Sequence, residues 1–238
     1  MAKAAIDAKQ AAALAVANRI LYNEGVVDGF GHVSVRDARK PDRFLLARSM
    51  APALVTPKDV MQFDLDGTAI DPRGRSPYLE RFIHGSVYKA RPDVMAVVHS
   101  HSPSIIPFGI TPQKLRSVYH MSGFLGDDVP VFDIHDVSGD TNMLVASVAQ
   151  GDALAHTLGK NLVALMRGHG SVTVGQTLQH AVYRAVYAEI NARLQGDALK
   201  LGPVKYLTPG EARLARETQD KVLGRAYELW ARRAGAKR

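Results

Sequence analysis

Two histidines one residue apart, His99 and His101, close the apolar run Val94-Met95-Ala96-Val97-Val98. On a strand, residues i and i+2 point to one face, so these imidazoles can converge on a single ion at the strand's end. Buried strands seldom carry two such histidines, because each ring nitrogen taken out of water needs a partner. The plain alternative is a hydrogen-bonded pair of surface histidines at a strand terminus. His169 has a similar setting. It follows the apolar stretch Asn161-Leu162-Val163-Ala164-Leu165-Met166 and lies between Gly168 and Gly170. Flanking glycines let the backbone turn sharply and give the ring room to reach a ligand. Three histidines at strand ends make the three-ligand arrangement of an open catalytic metal site, with solvent or substrate in the remaining positions.

The chain has no cysteine. That excludes disulfides, thiolate ligands, iron–sulfur clusters and a cysteine nucleophile. A metal site must then come from His, Asp, Glu and solvent, which favours Mn2+, Zn2+ or Fe2+, one divalent ion per subunit. Glu80 lies in Ser76-Pro77-Tyr78-Leu79-Glu80-Arg81-Phe82-Ile83-His84, read as the first turn of a helix. A carboxylate there is also simply favourable near a helix N-terminus. His84, one turn on and on the same face, would orient Glu80 or pack.

The elements that must position these groups follow from periodicity. Residues 4–24 are Ala-rich with apolar residues at helical spacing. His32-Val33-Ser34-Val35-Arg36 alternates as a strand, with Arg43-Phe44-Leu45-Leu46-Ala47 as its hairpin partner and a third strand at 60–64 before the Asp66-Gly67 turn. Pro77 opens a helix to about Arg91, and Pro92-Asp93 ends it. Strands are expected at 94–98, 130–133, 161–166 and 171–175, and helices at 140–158, about 176–197 and about 208–234. The inventory is α/β, with hairpin-paired strands and helices on both faces. Strand spacing is too uneven for a (β/α)8 barrel. No repeat or linker divides residues 1–238, so one domain is expected.

The net charge is +7. A basic balance suits an anionic substrate or nucleic acid. Near the C-terminus, however, Arg213, Arg216, Arg225, Arg232, Arg233, Lys237 and Arg238 alternate with Glu211, Glu217, Asp220 and Glu228, the pattern of a solvated helix face. No nucleic-acid-binding signature accompanies it, so nucleic acid is not an expected partner. No stretch reaches the roughly 18 apolar residues of a membrane helix, and the N-terminus lacks the apolar core of a signal peptide. The expected setting is cytoplasmic, with no membrane contact.

Four separated segments together resemble the class II aldolase/adducin family across roughly residues 8–200. They are Gly31-His32-Val33-Ser34-Val35-Arg36; Thr56-Pro57-Lys58-Asp59 through Asp66-Gly67; Glu80…His84…Tyr88…Arg91-Pro92-Asp93…His99-Ser100-His101; and Arg167-Gly168-His169-Gly170. The resemblance implies a three-layer αβα domain with a central mixed, largely antiparallel sheet. It implies a metal on His99, His101 and His169, with Glu80 as acid/base or further ligand, and a homotetramer with sites near subunit interfaces. Sugar-phosphate aldolases of the family carry Gly-Asn where this chain has Gly31-His32, and Ser-Ser where it has Tyr78-Leu79. Both features serve phosphate binding, so their absence argues against a phosphorylated substrate. The segments Phe44 to Pro52, Tyr78 to His84 and His120-Met121-Ser122-Gly123-Phe124-Leu125-Gly126 are similar to a branch that decarboxylates hydroxy-methyl-pyridine dicarboxylate and dihydroxyphthalates.

That resemblance implies a small anionic aromatic substrate and a lyase of aromatic catabolism. The proton donor is expected among Glu80, His84, His120 and water. Arg48 and Arg81 are candidate carboxylate clamps, since a guanidinium binds carboxylate in bidentate fashion. Ser49 and His32 are further candidate substrate contacts. Tyr183 and Tyr187 read as packing residues, and His135, His156 and His180 as surface histidines. Two other readings stand beside this one. One is an aldolase for a non-phosphorylated hydroxy-oxo acid. The other is a non-catalytic adducin-like interaction module, which would have no need to keep ligands that are costly to bury unpaired.

Overall fold

The computed structural model describes residues 6–236. Residues 4 and 5 of the expected first helix lie outside that range, as do Lys237 and Arg238. Helix α1 (Ala8–Asn23) starts at Asp7, whose side chain accepts from the Lys9 and Gln10 amides. Strands β1 (His32–Arg36), β2 (Arg43–Ala47) and β3 (Val60–Asp64) form a meander. Then come α2 (Arg81–Ala90), β4 (Ala96–Ser100), the one-turn α3 (Ile106–Gly109), β5 (Val131–Phe132), the one-turn α4 (His135–Ser138) and α5 (Val148–Leu158). The chain closes with the hairpin β6 (Val163–Met166) and β7 (Gly170–Gly175), followed by α6 (Leu178–Leu201), α7 (Pro209–Val222) and α8 (Gly224–Arg233).

The seven strands form one open sheet in the order β3-β2-β1-β4-β7-β6-β5. Every pairing is antiparallel except β5 with β6. Strand β4 is central, and its Val97 and Val98 are fully buried. Helices α2 and α5 pack together on one side of the sheet, and α1 and α6 on the other, giving the expected three-layer αβα arrangement with a mixed, largely antiparallel sheet. The core runs continuously through both interfaces. Tyr183 and Tyr187 do pack, ring to ring at 4.5 Å and against Trp230 of α8. His135 and His156 are exposed as expected, while His180 is partly buried and its Nδ1 meets Thr177 Oγ1 at 2.7 Å.

Several element boundaries differ from the sequence reading. The helix expected from Pro77 begins at Arg81, because the preceding segment bridges the end of β2: Arg48 pairs with Pro77, and the Ser49 amide donates to Ser76. The helix expected from 140 begins at Val148, where the Ser147 side chain caps it; upstream, Met143 takes a positive φ and the Val145 amide goes to Glu80 instead. The 208–234 helix is two, broken at Leu223 before Gly224. Strand β4 starts at Ala96 and runs to Ser100, so His99 stands inside the sheet and not beyond it.

Candidate metal centre

Sheet register brings the donors together. His99 lies opposite His32 of β1 and Val172 of β7, and His101 follows the last residue of β4. The β6–β7 hairpin turns at Arg167-Gly168-His169, with Gly168 at φ 63°. It delivers His169 beside His101, Nε2 to Nε2 at 3.1 Å. The hairpin can sit this close only because residue 170 is glycine. A Cβ there would stand 2.0 Å from the Ser100 carbonyl oxygen. Gly31, at φ 90°, is likewise forced: a Cβ would meet Val27 at 2.6 Å and the His99 carbonyl oxygen at 3.1 Å.

Glu80 takes the N-cap position of α2, but its carboxylate does not cap the helix. One oxygen accepts the Val145 amide at 3.0 Å. The other faces His99 Nε2 at 3.4 Å and His169 Nε2 at 3.6 Å. Side-chain capping of the helix therefore does not explain this residue. Burial pushes its pKa up, yet the neighbouring His99 and His169 outweigh that and hold the carboxyl well below the usual range. It is ionised near neutrality.

The donor set fits a divalent ion. One atom each from Glu80, His99, His101 and His169 lie within 4.8 Å of one another. His99 is fully buried, and its Nδ1 meets the Ser171 carbonyl at 3.1 Å. A carbonyl only accepts, so Nδ1 carries the proton and Nε2 offers a lone pair to the cluster. That Nε2 is buried with no hydrogen-bond partner. An unpaired buried nitrogen costs free energy, and an ion at this point would satisfy it. Burial, His99 and His169 depress His101 to about 4, so it is neutral and free to ligate.

Beside the cluster opens a cavity of about 420 Å3. His32, Ser49, Glu80 and His101 supply its polar groups. Phe30, Met50, Tyr78 and Leu79 supply apolar wall. Phe30, also part of this lining, is 70% exposed. The Tyr78 hydroxyl donates to the Met50 carbonyl, and burial pushes its pKa up to about 12.

The expected substrate and proton-transfer residues divide. His32 and Ser49 line the cavity. Arg48 does not; it pairs with Asp59 at 2.7 Å and is partly exposed. Arg81 turns away altogether. Its guanidinium donates to the Gly67 and Tyr78 carbonyls and lies over the Phe82 ring, so it braces the cavity wall from behind and is not a clamp. His84 is fully buried behind His32, and burial lowers its pKa to about 3, which makes it no proton donor to the cavity. His120 is not among the lining residues; its ring stands edge-on to Tyr119 on the segment packed against α7. Sequence reasoning missed Phe30, Met50 and the Val145 amide. Only the last had no local signal, since a loop amide is anonymous in sequence.

The chain is thus a three-layer sheet protein with a His3Glu donor cluster, able to hold a metal ion, at the end of its central strand. Residues 12–196 match the family described as Class II Aldolase and Adducin N-terminal domain, and the chain belongs to that family. It is 34% identical to decarboxylase tropJ of Talaromyces stipitatus, covering 90% of this chain and 89% of that one. It is 28% identical to a 3,4-dihydroxyphthalate decarboxylase of Arthrobacter keyseri, covering 79% and 80%. In fold it is similar to an L-fuculose 1-phosphate aldolase of Glaciozyma antarctica, with a TM-score of 0.79, 24% identity and coverage of 98% and 92%. Decarboxylases and aldolases are both lyases. Among the described residues no helix is long and apolar enough to cross a membrane.

Proposed function

We propose that this protein is a metal-dependent decarboxylase of a hydroxylated aromatic or pyridine dicarboxylate, acting in aromatic catabolism. The observation that carries this reading is the pairing of the His99–His101–His169–Glu80 cluster with a cavity whose wall is aromatic and aliphatic. Its similarity to decarboxylases over most of both chains supports it. His99, His101 and His169 would hold one divalent ion, Mn2+, Zn2+ or Fe2+. Such an ion supplies Lewis acidity toward developing negative charge on a substrate oxygen.

The chain's own groups supply the rest. Tyr78, Leu79 and Phe30 hold an aromatic ring flat in the cavity and exclude water from it. Glu80, held by the Val145 amide, is ionised at rest, so it cannot give a proton before it has first taken one. It accepts the proton of the substrate's ring hydroxyl. It then delivers that proton to the ring carbon bearing the carboxylate. The carbon–carbon bond breaks, CO2 leaves, and its bonding pair restores the aromatic ring. Ser49 and His32 meet the substrate's oxygens. No Arg or Lys lines the cavity among the described residues, so an anionic substrate relies on the ion and these polar groups. We infer also that the protein is a homo-oligomer, with the mouth at Phe30 near a subunit boundary and a tetramer expected by light scattering.

A screen of dihydroxyphthalates and hydroxypyridine dicarboxylates for CO2 release tests the reaction. CO2 from at least one of them, lost on chelation and restored by a divalent ion, is expected. Formation of an aldehyde and pyruvate from hydroxy-oxo acids, with no CO2 from any of these, would replace the reading with aldol cleavage.

A further inference from the structure

Behind His32 runs a line of side chains that the cavity does not reach. His32 Nδ1 lies 2.7 Å from His84 Nε2, His84 Nδ1 lies 2.6 Å from Ser34 Oγ, and Ser34 Oγ lies 2.8 Å from Tyr88 OH. All four residues are at most 3% exposed. Local geometry sets up the line. His32 and Ser34 share one face of β1, and His84 and Tyr88 are one turn apart on α2.

The protons in this line have one consistent arrangement. A neutral imidazole has one N–H and one lone pair, and a hydroxyl has one proton to give. Both rings are buried and neither is hydrogen-bonded to a carboxylate, so neither carries a charge at rest. Burial pushes the Tyr88 phenol up, so it keeps its proton. The side-chain hydrogen-bond partner of that phenol is Ser34 Oγ. Ser34 Oγ is then the acceptor left for the phenol proton. Ser34 in turn gives its own proton to His84 Nδ1. His84 therefore carries its proton on Nε2 and donates to His32 Nδ1. His32 is left with its proton on Nε2. Reversed, the line would leave the phenol proton without an acceptor in a fully buried site, which native cores avoid.

We propose that Tyr88, Ser34 and His84 form a one-way hydrogen-bond chain that fixes His32 as its Nε2–H tautomer, so that the cavity presents a donor to an acceptor oxygen of the substrate. Tyr88, Ser34 and His84 are positioning residues; His32 is the substrate contact. The tautomer follows from the chain itself, while the substrate contact rests on the decarboxylase reading above. The ligand class selected at this point is a carboxylate or ring-oxo oxygen. An amino group placed there would face a donor and be rejected, by tenfold or more. This also gives physical meaning to His32 in place of the asparagine of the sugar-phosphate enzymes. An asparagine amide offers donor and acceptor at one end, whereas a tautomer-locked imidazole offers only a donor.

Neutron diffraction from the perdeuterated protein reads these positions directly. Deuterium is expected on Nε2 of both His32 and His84, and deuterium on His32 Nδ1 would overturn the proposal. A second measurement reverses the chain. In Ser34→Asp the new carboxylate accepts from Tyr88 and from His84 Nδ1, so His84 Nε2 accepts from His32 Nδ1 and the cavity-facing nitrogen loses its proton. KM for the decarboxylated substrate should rise at least tenfold with metal content unchanged. An unchanged KM in a folded, metal-bearing Ser34→Asp protein would remove the substrate contact. If no substrate is decarboxylated, or the variant does not fold, the neutron map of the native protein still decides the tautomer.

Discussion

Replacing Gly170 by alanine should disable the metal centre without touching a ligand. An ordinary C···O contact is about 3.3 Å, and the added Cβ would begin 2.0 Å from the Ser100 carbonyl oxygen, so β4 and β7 must part by roughly 1.3 Å. Backbone cannot rotate aside as a long side chain can. The nearest ladder bonds between these strands, at the Ser100–Ser171 end, stretch or break. Overpacking costs about 1–3 kcal/mol and each lost hydrogen bond about 1 kcal/mol, so a loss of about 2–5 kcal/mol is expected. For a chain of this size that lowers Tm by roughly 5–15 °C. His169 is the next residue and His101 follows Ser100, so the same separation pulls apart the two Nε2 atoms now 3.1 Å apart. Metal affinity should fall by about 10–100-fold, as for other displaced ligand shells. Differential scanning fluorimetry with and without chelator, and metal analysis of the dialysed protein, measure both effects. Gly196→Ala is the control: it lies within α6 with nothing near its Cβ position, and should be neutral or stabilising by up to about 1 kcal/mol. Native Tm and a full metal complement in Gly170→Ala would show that strand spacing does not set the donor cluster.

His101→Ala should lose bound metal and activity together, by metal analysis and CO2 release, since it removes one of the three imidazole donors. Glu80→Gln keeps an acceptor for the Val145 amide but loses the charge and the proton site; activity should fall about 10²–10⁴-fold with little change in fold by circular dichroism. Chelated protein should lose stability as pH falls. Unfolded His84 takes a proton near the ordinary histidine value of 6.5, the folded residue only at about 3. Between these values the unfolded chain binds more protons, so stability is complete above pH 6.5 and declines toward pH 3, by on the order of 4 kcal/mol. Urea melts at several pH values, repeated on His84→Gln, should show a flatter dependence in the variant. Arg81→Ala should lower Tm by loss of its carbonyl contacts yet raise KM less than His32→Ala does.

The identities of the donors were legible in the chain: His99 and His101 on one strand face, His169 between glycines, no cysteine to compete. So were the alternating strands, the three-layer class and the packing of Tyr183 and Tyr187. These depend on side-chain type and on spacings within a few residues, where the period of a strand or helix is fixed by local geometry. Boundaries at Arg81 and Val148 were not, because they were decided by partners distant in sequence, the bridge from Arg48 to Pro77 and the bond from the Val145 amide to Glu80. The roles of Glu80, Arg81 and His84 were also undetermined. Each lies on or beside one helix, and sequence places them within a turn of one another. Only the packing of α2 on the sheet sends the Glu80 carboxylate to His99 and His169, the Arg81 guanidinium behind the wall, and the His84 ring to His32. Spacing along a chain gives the direction of a side chain relative to its own backbone. What that side chain meets is set by strand register and by how closely two backbones approach, here across Gly170, and neither is encoded within a window of neighbouring residues.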